Sequence, residues 1–180
     1  MDFQQSQTYQ NIINAQQIEQ IVNTQYMLYS DKARQEGYIQ IGMIYDTIAR
    51  NEREHARIWT RQLGNGSLPS TEQNLRTSAE YEAYAGNTLY RSYAQTAEAE
   101  GYPDIAALFN GIANIELNHN LIFSSLYDNV TRGEVFCKPE QTLWICIQCG
   151  NIMSGTCAPD ICPVCGFPQG YYQLYDAPTF

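Results

Sequence analysis

The strongest constraint on this chain is that part of it occurs twice. Residues 33–55 read ARQEGYIQIGMIYDTIARNEREH, and residues 97–119 read AEAEGYPDIAALFNGIANIELNH. Both fit the frame A-x-x-E-G-Y-x-x-I-x6-I-A-x-x-E-x-x-H, with Ala33 matching Ala97 and His55 matching His119. Tyr26 and Tyr90 keep the same offset. Residues 1–135 are rich in Ala, Ile, Leu, Tyr, Gln and Glu, with only Pro69 and Pro103 to interrupt them, which is helical composition. The spacing predicts four helices near 5–35, 38–63, 72–99 and 103–131. Gly37 and Gly101 end the first and third, and Gly133 closes the fourth. The clearest break is LGNGSLPS, residues 63–70, after which Ser70 and Gln73 can form a capping box. A duplicated helix hairpin accounts for the repeat. Two hairpins bury their apolar faces by packing as a four-helix bundle.

The repeat carries chemistry. The chain has two histidines, His55 and His119, and each follows a glutamate at i+3, Glu52 and Glu116. On a helix that spacing puts both side chains on one face. Glu19 lies mid-helix, in one stripe with Asn23 and Tyr26. The interval from Glu19 to Glu52 nearly equals that from Glu82 to Glu116, the second being longer by a single position. Glu19 and Glu82 therefore sit at matching heights, whereas Glu80 faces elsewhere and Glu36, Glu98 and Glu100 belong to turns. Four glutamates and two histidines from four helices form the donor set of ferritin-like dinuclear carboxylate proteins. Four buried carboxylates would repel one another and carry a heavy desolvation cost, and two divalent cations would neutralise them. Oxygen donors with one imidazole per metal suit Fe(II) or Mn(II) better than Zn(II) or Cu.

Composition changes after residue 136. Residues 137–180 hold all six cysteines and five of the seven prolines. Cys146-x2-Cys149 and Cys162-x2-Cys165 are separated by twelve residues, and a glycine follows each pair. Four thiolates so arranged bind iron or zinc tetrahedrally. A module this small needs such a staple to fold. Cys137 and Cys157 fall outside the pairs and read as spare thiols without a role. The expected domains are a helical bundle over 1–136 and a four-cysteine metal domain over 137–180.

A net charge of −9 and a pI near 4.6 argue against nucleic acid. No apolar run is long enough for a membrane helix. The first residues lack the basic start and apolar stretch of a signal peptide, so a reducing, cytoplasmic compartment is expected, with metal binding favoured over disulfides.

Taken together, QQIEQ, NEREH, SAEYE, IELNH and the two C-x-x-C-G knuckles, one within APDICPVCG, resemble the rubrerythrins over nearly the whole chain. The resemblance implies an all-α ferritin-like four-helix bundle followed by a rubredoxin-like domain. It implies an oxidoreductase, a non-haem di-iron peroxidase that reduces hydrogen peroxide to water in oxidative-stress defence. Glu19, Glu52, His55, Glu82, Glu116 and His119 would hold two irons, with Tyr26 and Tyr90 beside them. Cys146, Cys149, Cys162 and Cys165 would hold a single iron, zinc being the alternative, and relay electrons from rubredoxin or an NAD(P)H-dependent reductase. The family's further glutamate, at i+3 from Glu82, is absent: that position is Ala85. A di-iron oxidase using dioxygen, or an iron-storage protein with a structural zinc site, are the competing readings. The family is usually dimeric. The segment 63–72 spans roughly 33 Å when extended, a taut link that favours exchange of helices between chains.

Overall fold

A computed structural model describes residues 2–176, which divide into two compact units, one ending at Pro69 and the other beginning at Ser70. The first unit is a helix hairpin. After a 3-10 turn, Phe3–Gln5, helix α1 runs Gln7–Gln35 and α2 runs Ile39–Leu63. The hydroxyl of Ser6 caps α1 by accepting from the Tyr9 N–H at 3.1 Å. The turn follows from the E-G-Y of the repeat. Gly37 takes φ +87°, the Tyr38 N–H donates to the Ala33 carbonyl at 2.8 Å, and the Gly37 N–H donates to Arg34 at 3.0 Å. Those two bonds satisfy carbonyls that the helix end would otherwise leave open.

Small residues line the seam of this hairpin. Ser30, Ala33, Gly42, Ala49 and Ala56 are buried. A Cβ on Gly42 would lie 2.9 Å from Arg34 Cγ and 3.1 Å from the Ser30 carbonyl oxygen, so the helices approach closely there. The Ser30 hydroxyl donates to the Gly42 carbonyl at 2.9 Å, and the Arg34 guanidinium donates to Ser30 and to the Asp46 carboxylate. Further along, Asn23 Nδ2 donates to the Ala49 carbonyl at 2.6 Å.

The second unit repeats the hairpin and adds the cysteine module. Helix α3, Thr71–Tyr84, opens with the expected capping box: Gln73 N–H to Ser70 Oγ at 3.2 Å and Ser70 N–H to Gln73 Oε1 at 3.1 Å. The third helix expected over 72–99 is not uniform. A π-helical segment, Ala85–Leu89, separates α3 from α4, Tyr90–Ala99. After the turn, where Gly101 has φ +85° and the Tyr102 N–H donates to the Ala97 carbonyl at 2.8 Å, α5 runs Pro103–Thr131. The π segment has an arithmetical cause. Glu82 and Tyr90 are i and i+8, whereas Glu19 and Tyr26 are i and i+7. The second hairpin carries one extra residue between two points that must stay in register. A single wide turn absorbs one residue without rotating what lies on either side.

Ala94, Ala97 and Ala106 form a small core with Phe109 against them. The π segment packs on α5, where a Cβ on Gly86 would meet Leu117 Cγ at 2.7 Å and the Ala113 carbonyl oxygen at 2.8 Å. Large aliphatic side chains stay exposed in both hairpins. Ile18, Ile21, Ile44 and Ile58 in the first, and Leu108, Ile115, Leu121 and Ile122 in the second, are each about half exposed or more.

The cysteine module is a three-stranded antiparallel sheet of order β2-β1-β3, with β1 Cys137–Cys146, β2 Ile152–Cys157 and β3 Tyr172–Leu174. Trp144, Cys146, Ala158, Cys162 and Tyr172 are its buried core. Cys137 and Cys157 are not spare thiols: they form a disulfide. Linear spacing hides the pair because the two cysteines are distant in sequence and meet only when β1 and β2 pair antiparallel with Cys137 opposite Cys157. Among the described residues no helix is long and apolar enough to cross a membrane.

Candidate metal centres

The i, i+3 spacing on α2 and α5 does what helical geometry requires. His55 Nδ1 lies 2.9 Å from Glu52 Oε2, and His119 Nδ1 lies 2.9 Å from Glu116 Oε2. The first helix of each hairpin adds a carboxylate, Glu19 Oε2 at 3.7 Å from His55 Nδ1 and Glu82 Oε2 at 3.9 Å from His119 Nδ1. Each hairpin thus gathers two carboxylates and one imidazole, with ligand atoms within 4.8 Å of one another. The sequence-derived residues Glu19, Glu52 and His55 come together in one set, and Glu82, Glu116 and His119 in the other.

The electrostatics of both sets fit a cation. Glu52's hydrogen bond and burial push Glu19 above the usual carboxylate range, while hydrogen bonds from Glu19 and His55 hold Glu52 below it. Burial, and then the Glu116 carboxylate beside it, push Glu82 up. One carboxylate of each pair is driven toward protonation because two adjacent half-buried anions cannot both ionise cheaply. Glu82 Oε2 is buried and has no hydrogen-bond partner. A buried oxygen left unpaired is costly unless something positive completes it, and a divalent ion on two carboxylates and one imidazole would do so.

Ala85, at i+3 from Glu82 and fully buried, opens the π segment and presents a methyl group in place of an oxygen. Tyr26 packs against Tyr29 and Tyr45, with centroids 6.3 and 5.7 Å away; Tyr90 packs against Tyr93 and Phe109, at 6.2 and 6.1 Å. These are the same three positions of the repeat. Among the described residues neither phenol hydrogen-bonds to a carboxylate or histidine of the two sets. Tyr29 with Tyr93, and Tyr45 with Phe109, keep the offset of the repeat, and that was the available signal for these aromatic triplets.

In the cysteine module, two matching knuckles aim four sulfurs at one point. The Gly150 N–H donates to the Cys146 carbonyl at 2.8 Å, and the Gly166 N–H donates to Cys162 at 2.9 Å. Cys146 and Cys165 sulfurs lie 3.8 Å apart, and those of Cys149 and Cys162 3.7 Å. A tetrahedron with metal–sulfur bonds of about 2.3 Å has edges of about 3.8 Å, so these four thiols are spaced for one ion. A hydrogen bond from the Tyr172 hydroxyl leads the effects that lower Cys162 to about 6. Cys165 receives the Phe167 N–H, yet burial and the neighbouring thiols push it up to about 12. The divergence means that four thiols this close do not all ionise unless a cation holds them. Asn151 Nδ2 stands 3.3 Å from the Tyr172 hydroxyl and 4.0 Å from Cys162 Sγ. Sequence reasoning missed Asn151 and Tyr172; Asn151's place directly after the first knuckle's glycine was the only hint.

Comparison with known proteins gives the family of the chain. The family model described as rubrerythrin matches residues 11–127 and 73–142, and that described as the rubrerythrin rubredoxin-like domain matches 144–173. The chain is 35% identical to Rubrerythrin-1 of Clostridium acetobutylicum, covering 94% of each protein. It is 36% identical to rubrerythrin of Clostridium perfringens, over 94% of this chain and 95% of that one. It is 34% identical to rubrerythrin of Porphyromonas gingivalis, over 93% and 90%.

Proposed function

The chain belongs to the rubrerythrin family, di-iron proteins with a rubredoxin-like domain that are generally tied to oxidative stress, and on that premise we propose that it is a peroxidase that reduces hydrogen peroxide to water. The observation that carries this reading is the pairing, in one chain, of two carboxylate–histidine sets with a four-thiolate set spaced for a single ion. Iron bound at the carboxylate–histidine sets would supply the two electrons that turn one peroxide and two protons into two waters.

The chain's own residues have separable tasks in this proposal. Glu19, Glu52 and His55 hold one ion, and Glu82, Glu116 and His119 the other. Cys146, Cys149, Cys162 and Cys165 would hold a single iron, with rubredoxin or an NAD(P)H-dependent reductase as the electron donor. Tyr26 and Tyr90 would stand beside the metals in this reading, where a phenol can hydrogen-bond to a ligand or an oxygen species. The functional division is a bundle over 1–136 and an iron domain over 137–180. The exposed isoleucines and leucines of each hairpin require cover. Hairpins closing face to face in a homodimer, with or without exchange of helices, would provide it and bring six ligands together.

Ala85 supports a second reading in which dioxygen is the oxidant. With no oxygen atom at this position to replace a histidine, we expect His55 to keep its metal in both oxidation states. A crystal structure of the oxidised protein with His55 off the metal would reject that.

The test of function uses the iron-loaded protein, reduced without oxygen and freed of reductant. Stoichiometric hydrogen peroxide should restore the visible thiolate-to-iron absorption within the mixing time. If the band stays bleached with iron at both sites, peroxide is not the substrate, and the same measurement with dioxygen separates the oxidase from a storage protein.

A further inference from the structure

Cys137 and Cys157 lie outside every set described above. Neither is among the four clustered thiols, whose sulfurs all lie within 4.8 Å of one another. Their bond crosses the β1–β2 pair at a particular place. Cys137 pairs with Cys157, but the next paired residues are Thr142 and Gly155. Residues 138–141 therefore bulge away from the ladder, and the leading end of β1 is held apart from the rest of the sheet. On either side of the bond stand residues packed on the thiolate core. Phe136, directly before Cys137, packs against the cluster containing Cys146 and Cys162; Ala158, directly after Cys157, is buried in it. One backbone hydrogen bond, Ala158 N–H to Phe136 carbonyl at 2.8 Å, supports the same junction.

We propose that Cys137 and Cys157 form a reversible redox clasp, closed by a hydroperoxide and reopened by a dithiol, that fastens the leading end of β1 onto the four-cysteine domain. Three features carry it. Cys157 is exposed while Cys137 is half-buried, so one sulfur is open to attack and the other is poised to resolve. The bond sits where the ladder is interrupted, so opening it releases residues 136–141 without disturbing the pairing of Thr142–Ile145 with β2 or of Trp144–Cys146 with β3. The rest of the core, Trp144, Cys146, Cys162 and Tyr172, stands on its own contacts and on the four-thiolate site.

The chemistry balances with peroxide as the oxidant. The Cys157 thiolate attacks one oxygen of hydrogen peroxide, the O–O bond breaks, and hydroxide leaves, giving the sulfenic acid. The Cys137 thiol displaces that hydroxyl as water and the S–S bond forms. Two thiols and one peroxide thus yield one disulfide and two waters. In the reverse direction a dithiol attacks Cys157 Sγ, Cys137 leaves as the thiol, and the second thiol of the reductant completes the exchange.

The test takes the full chain with zinc in the four-thiolate site and no iron in the bundle, so that it is independent of any peroxidase activity. After reduction with dithiothreitol and its removal, equimolar hydrogen peroxide is added and remaining thiols are alkylated. Cleavage after Glu134 and Glu140 isolates Cys137 on residues 135–140, and cleavage after Met153 and Asp160 isolates Cys157 on residues 154–160, apart from the four clustered cysteines. The expected product is that fragment joined to the one carrying Cys157, with the loss of two hydrogens, and dithiothreitol should return both cysteines to the alkylated pool. Amide exchange over 136–141 should be about tenfold slower in the closed form. In Cys137→Ser the same peroxide should leave Cys157 as a sulfenic acid that dimedone captures. The proposal fails if both cysteines stay alkylatable after peroxide. It also fails if either couples to a four-thiolate ligand, if Cys157 proceeds to sulfinic acid with Cys137 intact, or if the closed bond resists dithiothreitol in the folded protein.

Discussion

The two hairpins are versions of one design, and they hold the same chemistry by different means. At the metal set they nearly coincide: histidine-to-glutamate distances are 2.9 and 3.7 Å in the first, 2.9 and 3.9 Å in the second. Away from it they diverge. The first hairpin is closed near its turn by a polar knot, Ser30, Arg34 and Asp46. At the corresponding positions the second has Ala94, Glu98 and Asn110. It closes instead on an alanine core, with Arg91 donating to Asn110 and Asn114. The first hairpin's leading helix is regular, whereas the second's contains the π segment. Ligand register is therefore the shared quantity, and the means of reaching it vary.

The comparison can be broken most forcefully at the ligands. Glu82→Gln should lower iron affinity by about a hundredfold or more, since even partners behind a ligand are worth roughly 10–100-fold. It should also raise the melting temperature of the metal-free protein, because it removes a buried acidic group beside Glu116 and leaves an amide that can donate to it. Iron titration and thermal melts of the apo-protein check both signs; equal affinity in the variant would remove Glu82 from the site.

Register comes next. Deleting Thr24, which is exposed in the regular helix α1, turns Glu19 by about 100° relative to Tyr26. Iron affinity should fall at least about tenfold, since a displaced donor costs as much as a lost partner behind it. Deleting Thr88, exposed within the π segment, should convert that turn to ordinary helix and keep the Glu82, Glu116, His119 set. Equal damage from both deletions would mean that the wide turn does not compensate for the extra residue.

Packing differs in a smaller way. Gly86→Ala drives a methyl into Leu117 and the Ala113 carbonyl and should cost about 1–3 kcal/mol in chemical denaturation. Gly42→Ala meets Arg34 Cγ at 2.9 Å and the Ser30 carbonyl oxygen at 3.1 Å, looser contacts than those at Gly86, and gains up to about 1 kcal/mol of helix propensity, so its net effect should be smaller.

The smallest effect concerns pH. Arg34's hydrogen bonds, and then Ser30, hold Asp46 at about 2, below the ordinary 3.8. A depressed carboxylate stabilises the fold above its unfolded pKa and loses that contribution as pH falls through the folded value. Asp46→Asn should therefore be less stable than the parent at neutral pH, and the gap should close between about pH 4 and pH 2. Asn110→Asp in the second hairpin would set a carboxylate against the Arg91 guanidinium, which already donates to Asn110 at 2.7 Å, and should acquire a pH profile of the same sign.

How much was legible in the chain follows from what each feature depends on. The E-x-x-H pairs, the helix-ending glycines at 37 and 101, the Ser70–Gln73 box and the C-x-x-C knuckles are local: the responsible atoms lie within a turn or so of one another along the chain, where helix and turn geometry are set by spacing alone. Glu19 and Glu82 needed the repeat as well, because their partners Glu52 and Glu116 lie on the next helix. The mismatch of one between those two intervals was visible, but its outcome was not. A chain can accommodate an extra residue in a loop, a kink or a wide turn. The close packing of Gly86 on Leu117 and Ala113 accompanies the wide turn. The Cys137–Cys157 bond was equally hidden. Nothing in the sequence between them says which thiols will meet, and antiparallel pairing of β1 with β2 brings those two opposite one another. The sequence by itself determined where the helices run, the paired glutamates and histidines and the two knuckles, because those depend on periodicity and spacing. Only the tertiary structure decided the π turn, the orphaned oxygen of Glu82 and the disulfide, because each arises where segments distant along the chain compete for the same space.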